Sequence, residues 1–257
     1  MAMAAHILLR ARQLALGSAA GVAALATYKS KTDPIHLFWD LDHTLLCSIS
    51  PLPATLPASP VRDPGLPRSR PPGLGWFDQV DDDFPYDART MDPNTRTFFR
   101  PGARWALALC SRFAVLHVYT AAQATYTANI LDELDPDRRL FGTRVLHRDD
   151  YPQIVREGKD LMRGTDDVRR AVLFDDKPAN FAPQGHDNGV ACVPFTARRV
   201  SECHRWGAYW KEVVEMARLV GIALVASVHV SGDVRHVVRR VRRWDYVGRD
   251  ERSTRLS

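Results

Sequence analysis

Cysteine is scarce in this chain of 257 residues, which contains four cysteines, all far apart. No C-x-x-C pair occurs among them, so the sequence indicates neither a zinc site nor a disulfide framework. We therefore predict buried, reduced thiols and a reducing compartment. The cysteines are Cys47, Cys110, Cys192 and Cys203.

Acidic residues are absent from residues 1–32, which carry Arg10, Arg12, Lys29 and Lys31. Residues 14–28 are small and apolar, but this run is shorter than the roughly 20 residues of a membrane-spanning helix. Such a start is typical of a targeting segment, and we predict a mitochondrial transit peptide. The alternatives are a secretory signal and a short anchor in the membrane of the endoplasmic reticulum or nuclear envelope.

A large excess of one charge is also missing. Lys and Arg together number 35 against 30 Asp and Glu, and the two signs are mixed through the middle of the chain. We therefore expect no nucleic-acid partner, and the arginines of 235–255 fit a solvated helix face and tail. No internal repeat is present, and the length suits one catalytic domain.

Proline is concentrated in one segment, since eight of the 17 prolines lie between residues 51 and 72. This density excludes a central strand or a regular helix there and predicts an exposed insert over 48–75. We divide the chain into a targeting or anchor segment (1–32), a domain that carries the insert (33–200), and a helical extension with a basic tail (201–257).

Strands and helices alternate through the rest of the chain, which predicts an α/β domain with a parallel sheet and helices on both faces. The predicted strands are 35–39, 113–119, 141–147, 171–174 and 190–195, and the predicted helices are 102–112 and 123–134. Short pieces at 76–80 and 96–99 suggest a small cap hairpin. After residue 195, an apolar stripe predicts a helix that buries Trp210, Val213, Val214, Ala217, Val220 and Leu224.

Pairs of carboxylates follow two of the predicted strands. Asp40 and Asp42 end the first strand two residues apart, so strand periodicity points both to the same side. Neighbouring carboxylates repel each other, and a divalent cation or a shared proton is needed for the pair to persist. Asp175 and Asp176 end another strand, although taken alone they would equally fit a helix cap. Active residues of a parallel sheet gather at the carboxyl ends of its strands, where we expect one site.

The segment Asp40-Leu41-Asp42-His43-Thr44 resembles the D-x-D-x-T signature of the haloacid dehalogenase superfamily. Further segments narrow the resemblance to phosphatases related to the RNA polymerase II C-terminal-domain phosphatases, which carry an NLI-interacting-factor-like domain. The resemblance covers most of residues 35–196 and implies a Rossmann-like sheet with a small β-hairpin cap. The further segments are Phe99-Arg100-Pro101-Gly102, Val118-Tyr119-Thr120-Ala121, Leu134-Asp135-Pro136, Lys159-Asp160-Leu161, Phe174-Asp175-Asp176 and Asn188-Gly189-Val190.

This resemblance implies a covalent mechanism. Asp40 would attack phosphorus and form an aspartyl-phosphate, and Asp42 would act first as general acid and then as general base. The resemblance also implies a metal ion bound by Asp40, the backbone carbonyl of Asp42 and Asp176, with Asp175 binding the ion or supporting its ligands. Ligation by oxygen alone suits Mg²⁺.

Three further residues are implied to bind phosphate, namely Thr44, Thr120 and Lys159. The hydroxyl of Thr120 and the next backbone N–H would hold a phosphoryl oxygen, and the Lys159 ammonium would stabilise the charge of the transition state. Taken singly, Thr120 would be an ordinary strand-end hydroxyl and Lys159 a surface lysine. Their occurrence together with Asp40 and Asp42 favours the functional interpretation.

Two positions depart from the family pattern. His43 stands where the family commonly has Glu, and Lys177 follows the acidic pair where a small residue is usual. The proline-rich insert lies where substrate selection is expected. The resemblance therefore leaves the substrate open.

We expect a phosphorylated protein as substrate, with phosphoserine or phosphothreonine, because the family has a small cap and an open site. A small-molecule phosphatase is one alternative. A second alternative is a binding subunit, since a mitochondrial inner-membrane protein-import receptor carries the same domain. The retained catalytic residues favour turnover. The sequence gives no indication of the oligomeric state.

Overall fold

The computed structural model of the protein describes residues 33–49, 87–89, 95–203, 205–229 and 232–241. Several sequence predictions fall outside these ranges. They are the targeting segment over 1–32, the proline-rich insert from residue 50 onward, the strand piece at 76–80 and the basic tail beyond residue 241.

Eight strands form two sheets in the described part of the chain. In chain order they are β1 (Ile35–Trp39), β2 (Leu46–Ile49), β3 (Asp87–Arg89), β4 (Arg96–Phe99), β5 (Ala114–Tyr119), β6 (Val145–Leu146), β7 (Ala171–Asp175) and β8 (Gly189–Ala191). The larger sheet has the order β6-β5-β1-β7-β8, and all its strand pairs are parallel. The predicted α/β fold with a parallel sheet is confirmed, although β6 and β8 are shorter than predicted.

The smaller sheet is antiparallel and has the order β2-β4-β3. Its register places Ser48 of β2 opposite Thr97 of β4. The predicted strand at 96–99 is therefore present, and in the described residues its partners are β2 and β3. This sheet follows directly on β1 through the turn at 41–45.

The helices cover both faces of the large sheet. In chain order they are α1 (Ala103–Cys110), α2 (Ala124–Leu134), α3 (Ile154–Glu157), α4 (Ala197–Glu202), α5 (Trp206–Val228) and a last helix over 235–241. Short 3₁₀ helices span Leu161–Arg163, Val168–Arg170 and Pro178–Gln184. None of the described helices has the length and apolar content to span a membrane.

Alternation along β1 assigns each face of the sheet its own core. Leu37 and Trp39 belong to the main core, which also contains side chains of α1, α2 and α5. Phe38 points to the opposite face and packs with Tyr119, Leu161 and neighbouring residues. Burial on both faces explains why the first strand is an unbroken apolar run apart from His36.

Helix α5 lies as predicted, but only part of its predicted stripe is buried. Val220 is buried, and Val213 and Leu224 are half-buried. Trp210 and Val214 are 44% and 64% exposed, and Ala217 is also exposed. Besides Val220, the buried face carries Glu212 and Glu215, together with Met216, Leu219, Ala223 and Ala226. Because two carboxylates lie on the buried face, the side of the helix that is most hydrophobic by sequence is not the side that faces the core.

All four cysteines are buried and free, as predicted. Burial raises the pKa of the Cys47 thiol to about 11 and that of Cys203 to about 12. These thiols therefore stay protonated at neutral pH, and they behave as small apolar residues of the core.

Candidate active site

Asp40 and Asp175 lie side by side at the carboxyl end of the large sheet. Trp39 of β1 pairs with Phe174 of β7, so the residues that follow them are adjacent. The Asp40 N–H donates to the Phe174 carbonyl at 3.0 Å, and both carboxylates are buried. After β6 the chain crosses from one side of β1 to the other, and open α/β sheets bind ligands at such a reversal.

Lys159 joins these two carboxylates. Its ammonium donates to Asp40 Oδ1 and to Asp175 Oδ2, both at 2.5 Å, and the side chain is fully buried. Its backbone N–H is fixed by the Asn180 carbonyl at 2.9 Å. An isolated buried ammonium is unfavourable, and the two carboxylates provide the necessary partners.

The electrostatics of this triad are mutually dependent. Burial raises the pKa of Asp40, while the Lys159 ammonium acts in the opposite direction and the Asp175 carboxylate adds to the rise. Burial opposes the charge of Lys159, yet the carboxylates of Asp40 and Asp175 raise its pKa above the usual value. A cation beside Asp40 favours the ionised carboxylate that a nucleophile requires.

Asp40, Asp175 and Asp176 form a cluster of potential metal ligands. Each offers a carboxylate oxygen, and the three oxygens lie within 4.8 Å of one another. Asp176 Oδ1 is buried and has no hydrogen-bond partner among the described residues. Burial and the Asp175 charge raise the pKa of Asp176. A buried oxygen without a donor in an all-oxygen cluster fits a hard divalent cation such as Mg²⁺.

Asp175 differs from the other two carboxylates because its lone pairs are already used. Its Oδ1 accepts from the Lys177 N–H at 2.8 Å and from Asn180 Nδ2 at 2.9 Å. Its Oδ2 accepts from Lys159 and from Asn180 Nδ2 at 2.8 Å. A carboxylate offers about four acceptor positions, so Asp175 is saturated and serves to hold Lys159 beside Asp40. Asp40 and Asp176 then remain as the side chains best placed to bind a cation.

The carboxylate of Asp42 is held by a residue outside the acidic cluster. It is half-buried, and its Oδ1 accepts a hydrogen bond from the Tyr126 hydroxyl at 2.7 Å. Asp42 and Leu46 form a short bridge that closes the turn after β1. The role of the Asp42 backbone carbonyl as a metal ligand stays a prediction.

The two threonines predicted to bind phosphate are both buried. Thr120 follows β5, and its hydroxyl accepts from the Ala122 N–H at 3.1 Å. The hydroxyl of Thr44 has no hydrogen-bond partner in the described residues, while its carbonyl accepts from Arg100 Nη1 at 2.9 Å. Their contact with phosphate stays a prediction.

The residues that depart from the family pattern have local roles. His43 has a φ of 64°, and its Nδ1 lies 3.1 Å from the Phe195 carbonyl, so it ties the turn after β1 to the segment after β8. Among the smaller influences on Asp176, the nearby His43 lowers its pKa. Lys177 is exposed, and only its backbone N–H reaches Asp175.

Sequence reasoning missed three residues of this region: Asn180, Tyr126 and Arg100. Arg100 lies in the segment Phe99-Arg100-Pro101-Gly102, but the resemblance to the family implied no role for it. Asn180 lies five positions after Asp175 in a 3₁₀ helix, and Tyr126 lies in α2. A tyrosine in a half-apolar helix carries no sequence signal that would separate a site residue from a packing residue.

Comparison with known proteins gives three results. The family model of the NLI interacting factor-like phosphatases matches residues 35–205. Proteins from Drosophila melanogaster and Drosophila pseudoobscura pseudoobscura, both named CTD nuclear envelope phosphatase 1 homolog, are 25% identical over 154 residues. That alignment covers 59% of this chain and 57% of each relative, so the chain spans little more than half of their length.

The structure of Fcp1, an essential RNA polymerase II CTD phosphatase, superposes with a TM-score of 0.53 at 18% identity. The superposition covers 83% of this chain and 71% of Fcp1. This likeness shows a shared haloacid dehalogenase-like fold. Since the family model spans 35–205 and includes every residue of the acidic cluster, the chain belongs to the NLI interacting factor-like phosphatase family.

Proposed function

We propose that this protein is a magnesium-dependent phosphatase that acts through an aspartyl-phosphate on Asp40 and removes phosphate from phosphoserine or phosphothreonine in proteins. The observation that carries the proposal is the contact of the Lys159 ammonium with both Asp40 and Asp175, beside the unpartnered Asp176 oxygen. A structural ion pair would not need a third carboxylate with a buried oxygen that lacks a donor.

Asp40 supplies the nucleophile. One carboxylate oxygen attacks phosphorus, the bond from phosphorus to the leaving oxygen breaks, and Asp42 gives that oxygen a proton. In the second half, Asp42 takes a proton from water, which attacks the phosphoryl group and restores the Asp40 carboxylate. Lys159 favours the ionised form of Asp40 and stabilises negative charge on the phosphoryl oxygens.

Asp40 and Asp176 would hold the Mg²⁺ ion. When bound, the ion supplies positive charge that offsets repulsion between the carboxylates and the phosphoryl oxygens. Asp175 would not need to bind it, because its hydrogen bonds already position Lys159.

The substrate class rests on the relatives and on the short strands described beside the site. Fcp1 is named as a phosphatase of the RNA polymerase II CTD. The Drosophila relatives are named CTD nuclear envelope phosphatase 1 homologs. In the described residues, the antiparallel sheet beside the site consists of strands of three or four residues. Short strands of this kind favour an extended peptide over a substrate that must be enclosed.

The test uses the purified full chain with a panel of phosphoserine and phosphothreonine peptides, sugar phosphates and nucleotides, with and without Mg²⁺. We expect hydrolysis of the peptides that depends on Mg²⁺ and disappears in Asp40→Asn. Asp137→Asn, a change of an exposed aspartate, is the matched control and should retain activity. Preference for sugar phosphates or nucleotides would assign a small-molecule phosphatase, and turnover by Asp40→Asn would refute the nucleophile.

We also propose a mitochondrial location, which rests on the sequence of residues 1–32 alone. A fluorescent protein fused after residue 32 tests it directly. Co-localisation with a mitochondrial marker is the expected result. Localisation to the nuclear envelope or endoplasmic reticulum would favour the membrane-anchor alternative.

A further inference from the structure

A chain of hydroxyl groups ends on the carboxylate of Asp42. Tyr126 in α2 donates to Asp42 Oδ1 at 2.7 Å, and the same phenol oxygen lies 2.6 Å from Ser48 Oγ. Ser48 Oγ in turn lies 2.7 Å from Thr97 Oγ1. Thr97 is completely buried, and Ser48 and Tyr126 are half-buried.

The direction of the hydrogen bonds in this chain is fixed by Asp42. The Tyr126 hydroxyl donates its single proton to Asp42 Oδ1, so the phenol oxygen can only accept from Ser48. The Ser48 hydroxyl must then donate to Tyr126, and Thr97 to Ser48. Every hydroxyl of the series has a hydrogen-bond partner in this order.

This chain of hydroxyl groups connects three parts of the fold. Asp42 lies in the turn after β1, Tyr126 lies in the first turns of α2, and Ser48 and Thr97 face each other across β2 and β4. Asp42 alone is a short, half-exposed side chain with several rotamers open to it. The hydrogen bond from Tyr126, which lies in α2 and is tied to the small sheet through Ser48, selects one of these rotamers.

We infer that Tyr126 is a positioning residue that holds Asp42 in the orientation required for proton transfer, and that the small antiparallel sheet keeps Tyr126 in place through Ser48 and Thr97. The inference rests on the proposed phosphatase function. Asp42 Oδ1 is occupied by Tyr126, whereas Oδ2 accepts no hydrogen bond from the described residues. One oxygen thus anchors the carboxylate, and the other is left for the leaving oxygen or the attacking water.

Leaving-group chemistry separates this role from a merely structural one. A phosphate ester with a poor leaving group needs a proton from Asp42 as the bond to phosphorus breaks, whereas a dinitrophenolate leaves without one. The experiment compares kcat/KM, which reports formation of the aspartyl-phosphate, for dinitrophenyl, nitrophenyl and phenyl phosphate. The wild type, Tyr126→Phe and Ser48→Ala are each assayed as full chains.

We expect Tyr126→Phe to lose about tenfold in kcat/KM on phenyl phosphate, a fraction of the total effect of a general acid, and less than about twofold on dinitrophenyl phosphate. Ser48→Ala should lose less kcat/KM than Tyr126→Phe, again most on phenyl phosphate and least on dinitrophenyl phosphate. Tyr151→Phe removes a hydroxyl that donates to Glu157 at 2.6 Å and is the matched control, with no change on any substrate.

Each outcome decides between the two proposals. A wild type without activity on any ester would refute the phosphatase function itself. An active wild type whose Tyr126→Phe variant keeps the same dependence on the leaving group would overturn only the role of Tyr126. An equal loss on all three esters would also overturn it, because a general loss indicates altered folding or binding and not proton transfer.

Discussion

Arg100 and Glu212 form an ion pair that is closed off from solvent. Arg100 Nε lies 2.8 Å from Glu212 Oε2, and the side chains are 0% and 3% exposed. The same guanidinium donates to the carbonyl of Thr44 at 2.9 Å and to the carbonyl of Val193 at 2.5 Å. One side chain therefore connects the turn that carries Asp42, the segment after β8 and helix α5.

We expect Arg100→Met to lower the free energy of unfolding by about 3 kcal/mol, because it leaves one oxygen of the buried Glu212 carboxylate and two backbone carbonyls without their donor. This is the lower end of the usual cost, since Arg199 still pairs with Glu212. Urea denaturation gives the value. Arg198→Met breaks an exposed pair with Glu202 and should cost less than about 1 kcal/mol. Equal losses in the two variants would show that the buried pair has no special role.

The architecture was predictable because it depends on local patterns. An apolar run followed by acids predicted β1 and the position of Asp40, and the same pattern predicted β7 and Asp175. Parallel strands place such ends at one edge, so the meeting of the two aspartates followed from the fold class. The resemblance to the family supplied Lys159, for which the local sequence alone favours a surface position.

The remaining features depend on pairings between distant segments. The buried face of α5 contains Glu212, whose partner Arg100 lies 112 positions earlier. A hydropathy pattern places a carboxylate on the solvent-facing side of a helix. The sequence therefore predicted that Trp210 and Val214 are buried instead. Tyr126 was missed for the same reason, because its function depends on Asp42, which lies 84 positions away.

Gly189 in β8 is required by its neighbour Phe181. A Cβ at this position would lie 2.1 Å from the Phe181 ring, which cannot be accommodated without moving the ring or the strand. Gly189→Ala should cost about 3 kcal/mol of stability, at the upper end of overpacking penalties. The double variant with Phe181→Ala should lose less than the sum of the two single changes.

The matched control for this prediction is Gly221→Ala in the middle of α5, where a Cβ meets no atom within 4 Å. Alanine has the higher helix propensity, so this change should stabilise the protein by up to about 1 kcal/mol. Urea denaturation of the four variants, with Phe181→Ala alone included, provides the comparison. An unaltered stability of Gly189→Ala would mean that β8 shifts away from Phe181 at no cost.

Mg²⁺ should stabilise the folded protein through Asp176. A ligand at one hundred times its dissociation constant adds about 2.7 kcal/mol, which thermal unfolding detects as a higher midpoint. In Asp176→Asn we expect most of this rise to disappear, because the unpartnered carboxylate oxygen is replaced by a neutral amide. Asp137→Asn should respond to Mg²⁺ like the wild type. The same rise in Asp176→Asn would place the ion elsewhere.

The paired histidines under the large sheet predict a loss of stability in mild acid. His36 Nδ1 lies 2.9 Å from His117 Nε2, and the His117 ring stacks on Phe38. Burial, followed by the charges of His36 and Arg144, lowers the pKa of His117 from 6.5 to about 3. Between those two values the unfolded chain binds more protons than the folded protein, so the free energy of unfolding falls as the pH decreases. The slope is at most about 1.4 kcal/mol per pH unit for each histidine.

Urea denaturation at several pH values should show this slope in the wild type and in His186→Asn, which changes an exposed histidine, but a smaller one in His117→Gln. An identical slope in all three proteins would assign the acid sensitivity to other groups.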